Sequence, residues 1–170
     1  PIHDDVLEDV NKWQREGRRV VLATVVATWG SAPRPVGSQL CVDETGNFSG
    51  SVSGGCIEAA VVREALRVLD TGSPRLVEFQ VSNDMAWEVG LSCGGRVEIF
   101  VAAAEPQQQM LSTVREARAR GEGTVLATAL PGGQQTLLAN DAFSGDLELD
   151  DRTRAVARRI AVQGESLAVM

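Results

Sequence analysis

The 170-residue sequence predicts an α/β fold, a mixed sheet with flanking helices. Three observations predict it. Segments with apolar residues at helical spacing alternate with short runs rich in Val and Thr. One such strand passes into a helix through a glycine turn, Ser53-Gly54-Gly55-Cys56, and short stretches of the first half recur in the second. A hydrophobic content of 44% against 23% charged residues is enough for one real core or two small lobes.

Taken in order, Asp4 to Arg15 carries Val6, Leu7, Val10 and Trp13 at helical spacing, and Gly17 supplies a stop. Arg19 to Thr28 reads as a buried strand. Gly30 to Gly37 is a loop stiffened by Pro33 and Pro35, with Arg34 held between them. Ser38 to Val42 and Asn47 to Val52 form a hairpin around Asp43-Glu44-Thr45-Gly46. The glycine turn then lies at the carboxyl end of a strand. A helix from Ile57 to Leu69 follows, with Ile57, Val61, Ala65, Leu66 and Leu69 inward and Glu58, Arg63 and Arg67 toward solvent.

Arg75 to Val81 and Arg96 to Val101 are further strands, separated by a second cysteine-bearing loop, Ser82 to Gly95. Pro106 to Arg120 is helical, with Met110, Val114 and Ala117 inward. Gly123 to Leu130 is a strand, Gln135 to Ala139 and Ala142 to Leu147 a hairpin, and Arg152 to Val162 a last helix.

Val21-Leu22-Ala23-Thr24 reappears as Val125-Leu126-Ala127-Thr128, and Phe48-Ser49-Gly50 as Phe143-Ser144-Gly145. The expectation is a duplicated helix, strand, hairpin, helix unit, with sub-repeats at about 1–102 and 103–170 of one domain. The first copy is nine residues longer between these landmarks, and the Gly30 to Gly37 loop is the natural place for the excess.

Composition removes several classes of function. A formal net charge of −7 argues against a sequence-independent nucleic-acid binder, which needs a basic stripe. No segment has the apolar length of a membrane span, and the N-terminus lacks the pattern of a signal peptide, so a cytoplasmic protein is expected. Three cysteines, Cys41, Cys56 and Cys93, suit no structural zinc site by spacing, and a single histidine, His3, leaves a histidine triad unsupported.

Two readings of Cys56 stand side by side. Beside a helix start, unpaired N–H groups and the positive end of the helix dipole favour a thiolate or a phosphate. Alternatively the turn is a tight strand-to-helix connection and Cys56 a small buried apolar residue. The later loop repeats the pattern: Asp84 and Glu88 are candidates for orienting polar ligand atoms, Cys93 for a second sulfur beside Gly94 and Gly95, and Trp87 for a core plug. Arg34 offers a bidentate grip on phosphate or carboxylate.

The stretches GSAPRPVGSQLCV (30–42), GSVSGGCIEAAVVREAL (50–66) and DMAWEVGLSCGGRVEIFV (84–101) together resemble the XdhC/CoxI family of molybdenum hydroxylase accessory proteins. The resemblance is strong over about residues 4–102 and weak beyond. It implies a chaperone that transiently binds molybdenum cofactor, as molybdopterin or its dinucleotide form. The cofactor would be sulfurated with a cysteine desulfurase and delivered to an apo molybdenum hydroxylase such as xanthine dehydrogenase or carbon monoxide dehydrogenase.

By motif, the resemblance makes Cys56 the first cofactor contact and a candidate molybdenum contact, with Ser53, Gly54 and Gly55 shaping its turn. It adds Gly30, Ser31 and Arg34 from the first motif and Cys93 with Gly94 from the third, beside Asp84 as read above from the residues, and assigns no catalytic residue. Many family members carry a following Rossmann domain, for which this chain shows no glycine fingerprint. A homo-oligomer or a separate Rossmann-domain partner is then expected to complete the site. Two alternatives remain: a thiol-dependent oxidoreductase or sulfur transferase using Cys56 and Cys93, and a docking domain without cofactor.

Overall fold

The computed structural model describes residues 5–32, 34–55, 57–80 and 95–163. The chain divides into two compact units, Pro1–Pro106 and Gln107–Met170.

In the first unit, α1 (Val6–Arg15) precedes β1 (Val20–Trp29), β2 (Gln39–Asp43) and β3 (Phe48–Gly50). Then come α2 (Glu58–Thr71), β4 (Arg75–Gln80) and β5 (Arg96–Ala103). The strands form one five-stranded sheet in the order β3-β2-β1-β5-β4. Val21, Ala23 and Val25 of β1, Leu40 and Val42 of β2, and Val97, Ile99 and Val101 of β5 alternate onto one face. There they pack against Ile57, just before α2, and Val61, Ala65, Val68 and Leu69 of α2. Each fully buried valine contributes roughly 1.5–3 kcal/mol of transfer free energy. The opposite face holds Cys41 and its cross-strand partner Ser49, whose hydroxyl donates to Asp9 of α1. The two helices therefore cover opposite faces.

The α/β class holds, with a correction to the sheet. Among the described residues every pairing is antiparallel, and they form two sheets where a single mixed one was expected. The physical reason lies in α2, which crosses from one edge strand, β3, to the other, β4. These two strands do run the same way, as a helical crossover requires, but three strands stand between them.

Asp43 fixes the β2–β3 hairpin. Its Oδ1 accepts from the Thr45 N–H and hydroxyl and from the Asn47 N–H, and its Oδ2 from Asn47 Nδ2 and Arg18. Burial would raise its pKa, but these bonds outweigh it and hold the carboxyl at about 2. A depressed folded pKa stabilises above the unfolded value and loses that contribution as the pH falls through the folded one. Asp43→Ala is thus expected to lose roughly 2 kcal/mol at pH 7. In urea unfolding the gap to wild type should narrow between about pH 4 and pH 2, whereas a gap independent of pH would contradict this role.

The second unit contains α3 (Gln108–Ala119), β6 (Val125–Thr128), β7 (Gln135–Ala139), β8 (Ala142–Gly145) and α4 (Asp151–Gln163). Its sheet order is β6-β7-β8. Leu111 and Ala117 are buried on α3, while Met110 and Val114 are half-buried.

Within each unit the hairpin has the same register. Thr24 faces Gln39 and Thr128 faces Gln135; Leu40 faces Gly50 and Thr136 faces Gly145. In both, the glutamine amide donates to the threonine hydroxyl, at 3.2 and 3.0 Å. Fifteen positions separate Thr24 from Gln39 but seven separate Thr128 from Gln135, so the extra length of the first unit sits mainly in the loop after β1.

Candidate functional site

The antiparallel registers bring the motif-bearing segments to one end of the five-stranded sheet. Trp29 at the end of β1 faces Arg96 at the start of β5, and Gln80 at the end of β4 faces the same Arg96. On the other side Gln39 begins β2 and Gly50 ends β3. The Gly30 to Gly37 loop, the glycine turn and the segment leaving at Gln80 and returning at Gly95 all start from this end.

Backbone contact joins the first and third motifs directly. A Cβ on Gly95 would lie 2.5 Å from the Ser31 carbonyl oxygen and 3.1 Å from that of Trp29, so only glycine allows this approach. The Arg96 guanidinium lies 4.0 Å from the Trp29 ring centroid and closes the same corner. The loop is anchored where Gly37 N–H donates to Val25 and Val25 N–H to Ser38, and Ala32 and Val36 pack on the core. Ser31 is exposed and Arg34 half-buried.

The glycine turn is built around a residue that sequence reasoning placed in solvent. Glu58, the first residue of α2, is 6% exposed. Its Oε1 accepts from the Ser51 hydroxyl at 2.9 Å, Val52 N–H at 3.3 Å and Ser53 N–H at 3.0 Å. Its Oε2 accepts from the Ser53 hydroxyl at 2.5 Å and Gly55 N–H at 2.9 Å. The Ser53 hydroxyl oxygen accepts in turn from Ile57 N–H, and that of Ser51 from Gly54 N–H.

Burial would raise the pKa of Glu58, but the donors from Ser53 and Ser51 outweigh it and hold the carboxyl below the ordinary range. Its negative charge at the start of α2 also suits the helix dipole. Glu58 is buried because position 58 shares a helical face with Val61, Ala65 and Leu69, all buried. A carboxylate on such a stripe must find donors, and the serines and glycines of the turn supply them. Helical spacing puts Glu58 on that stripe, but the donors that satisfy its charge are evident only in the fold.

Ser53 is fully buried as a structural member of the turn, whereas Gly54 and Gly55 are exposed at φ 71° and 114°. The N–H groups of Val52, Ser53, Gly54, Gly55 and Ile57 are all donated to side chains of Ser51, Ser53 and Glu58. Cys41 lies in the core with its thiol pushed up to about 12 by burial and by Asp9, which leaves it unreactive near neutrality. Cys56, Asp84, Cys93 and Gly94 lie outside the described residues. No helix among the described residues is long and apolar enough to cross a membrane.

Fold and site together define an antiparallel α/β domain that carries its glycine-rich motifs at one sheet end. Residues 13–80 match the XdhC and CoxI family. It is 33% identical over 119 residues to the molybdenum cofactor insertion chaperone PaoD of Escherichia coli K12, a match covering 69% of this chain and 37% of that protein. It is 26% identical over 160 residues to a probable xanthine dehydrogenase component of Bacillus subtilis 168, covering 91% of this chain and 46% of that one.

A crystal structure of a xanthine dehydrogenase from Bacillus halodurans superposes with a TM-score of 0.69, covering 85% of this chain and 45% of that one. At 23% identity this likeness shows a shared fold. The chain spans less than half the length of each of these relatives.

Proposed function

We propose that this chain binds molybdenum cofactor transiently, as molybdopterin or its dinucleotide form, and helps insert it into an apo molybdenum hydroxylase. The observation that carries the proposal is the convergence of the motif-bearing segments at one sheet end, with Gly95 packed on Ser31. The likeness to a protein named as a molybdenum cofactor insertion chaperone supports the same reading. Xanthine dehydrogenase and carbon monoxide dehydrogenase are the proposed classes of client, and a cysteine desulfurase the proposed source of sulfur for the bound cofactor. A second copy of this chain or a Rossmann-type partner would complete the binding surface.

The residues at this end fit the ligand unevenly. The donated N–H groups of the turn leave its phosphate to Ser31 and Arg34, and a guanidinium suits that role. Gly54 and Gly55, exposed and without side chains, allow a close approach of a ring system. Cys56 and Cys93 are the proposed sulfur contacts, Cys56 for molybdenum, and Asp84 and Gly94 are proposed for the polar ligand atoms. When bound, the cofactor supplies molybdenum and its dithiolene sulfurs; this chain supplies grip and orientation.

Arg34→Ala tests the phosphate grip. Loss of a charge-assisted pair is expected to weaken cofactor binding roughly ten- to a hundredfold and to slow reactivation of an apo-hydroxylase by the same preparation. Binding and reactivation equal to wild type would remove Arg34 from the site.

A further inference from the structure

We propose that Glu58 is the positioning residue of the site. Its carboxylate fills the ring of donors that would otherwise receive a ligand's phosphate, so the turn is closed to external anions and set in one shape. The inference rests on the proposed function only in treating this sheet end as a ligand site.

The geometry is that of an anion-binding concavity with its anion supplied by the chain. Successive N–H groups in a glycine-containing turn commonly converge on a phosphate oxygen. In this turn Val52 and Ser53 N–H converge on Oε1 and Gly55 N–H reaches Oε2, while two serine hydroxyls complete the set. Gly55 adopts φ 114° with nothing within 4 Å of an added Cβ, so its conformation aims its N–H at the carboxylate and is not forced by crowding. The carboxylate reaches the turn from the helix that follows it, and so fixes residues 51–55 to α2 from within.

Glu58→Gln separates the two ends of this arrangement. The amide oxygen can keep the Ser51, Val52 and Ser53 donors, but the amide nitrogen then meets Gly55 N–H as donor against donor. Amide exchange of Gly55 should accelerate by roughly tenfold or more while that of Ser53 changes little. Glu58→Asp keeps the charge and should restore part of the protection. A general loss of packing would instead raise exchange at Ser53, Gly55 and Val61 together.

The decisive test follows the backbone amides of 15N-labelled protein by NMR during titration with inorganic pyrophosphate. In wild type, the amides of Val52, Ser53 and Gly55 should not move. In Glu58→Ala, where the concavity is vacated, the same amides should show saturable shifts. Saturable movement of these amides in wild type would overturn the proposal and needs no variant to be seen. Unchanged Gly55 exchange in Glu58→Gln would overturn it equally, even if Glu58→Ala fails to fold. Neither readout uses molybdenum cofactor, so failure here leaves the proposed function standing, and the reverse is also true.

Discussion

Gly50→Ala is expected to destabilise the first unit by more than about 3 kcal/mol, and Gly55→Ala by only about 1–2 kcal/mol, although both glycines belong to the same motif. Gly50 sits at φ 88°, and a Cβ there would lie 2.4 Å from the Gln39 carbonyl oxygen and 2.6 Å from Val6 Cγ2. The first obstacle is backbone of a paired strand and cannot turn aside, so the substitution adds a clash to the strain of a left-handed conformation. Gly55 meets nothing within 4 Å and carries the strain alone. Urea unfolding of the two variants measures the difference directly. Equal losses would show that the β2–β3 edge is free to move and that Gly50 is no more constrained than a surface turn.

The same clash recurs in the second unit, where a Cβ on Gly145 would lie 2.2 Å from the Gln135 carbonyl oxygen. Gly50 and Gly145 occupy matching positions in hairpins of matching register, each opposite the strand that begins with a glutamine bonded to a threonine. These correspondences support our proposal that the two units descend from one duplicated helix, strand, hairpin, helix element. Under it, the longer loop and the glycine turn are what distinguish the first unit.

Much of the fold was legible because it rests on local periodicity. The valine-rich β1, the hairpin turn around Asp43 and the helix after the glycine turn are each specified by their own residues, with ends displaced by one or two positions. Strand direction was not legible, since it depends on where α2 delivers the chain: a crossover to a neighbouring position would have made a parallel pair, and a crossover to the far edge did not. The register that places Gly95 on Ser31 is likewise long-range, with only the glycine itself as a local trace. Glu58 is a different case. Its helical position was readable, but a carboxylate followed by alanines looks like a solvent-facing first turn until the donors of Ser51, Ser53 and Gly55 are seen to surround it.

The glycine turn therefore has two tasks. It satisfies a buried carboxylate inward and presents exposed glycine backbone outward. Within our proposal, the outward side meets the cofactor, and Cys56 supplies the contact that retains it.

The largest functional effect is expected from that sulfur. A thiolate bound to a soft metal centre is not replaced by a hydroxyl, so Cys56→Ser should lose most of the bound cofactor, whereas Cys41→Ser, altering a buried thiol away from the site, should not. The most direct measurement is the molybdenum and pterin content of the protein purified from cells that make the cofactor, for wild type and Cys56→Ser side by side. Wild type should carry both molybdenum and pterin, with a fall of roughly tenfold or more in Cys56→Ser. Equal contents in the two proteins, or none in the wild type, would contradict retention of the cofactor by Cys56.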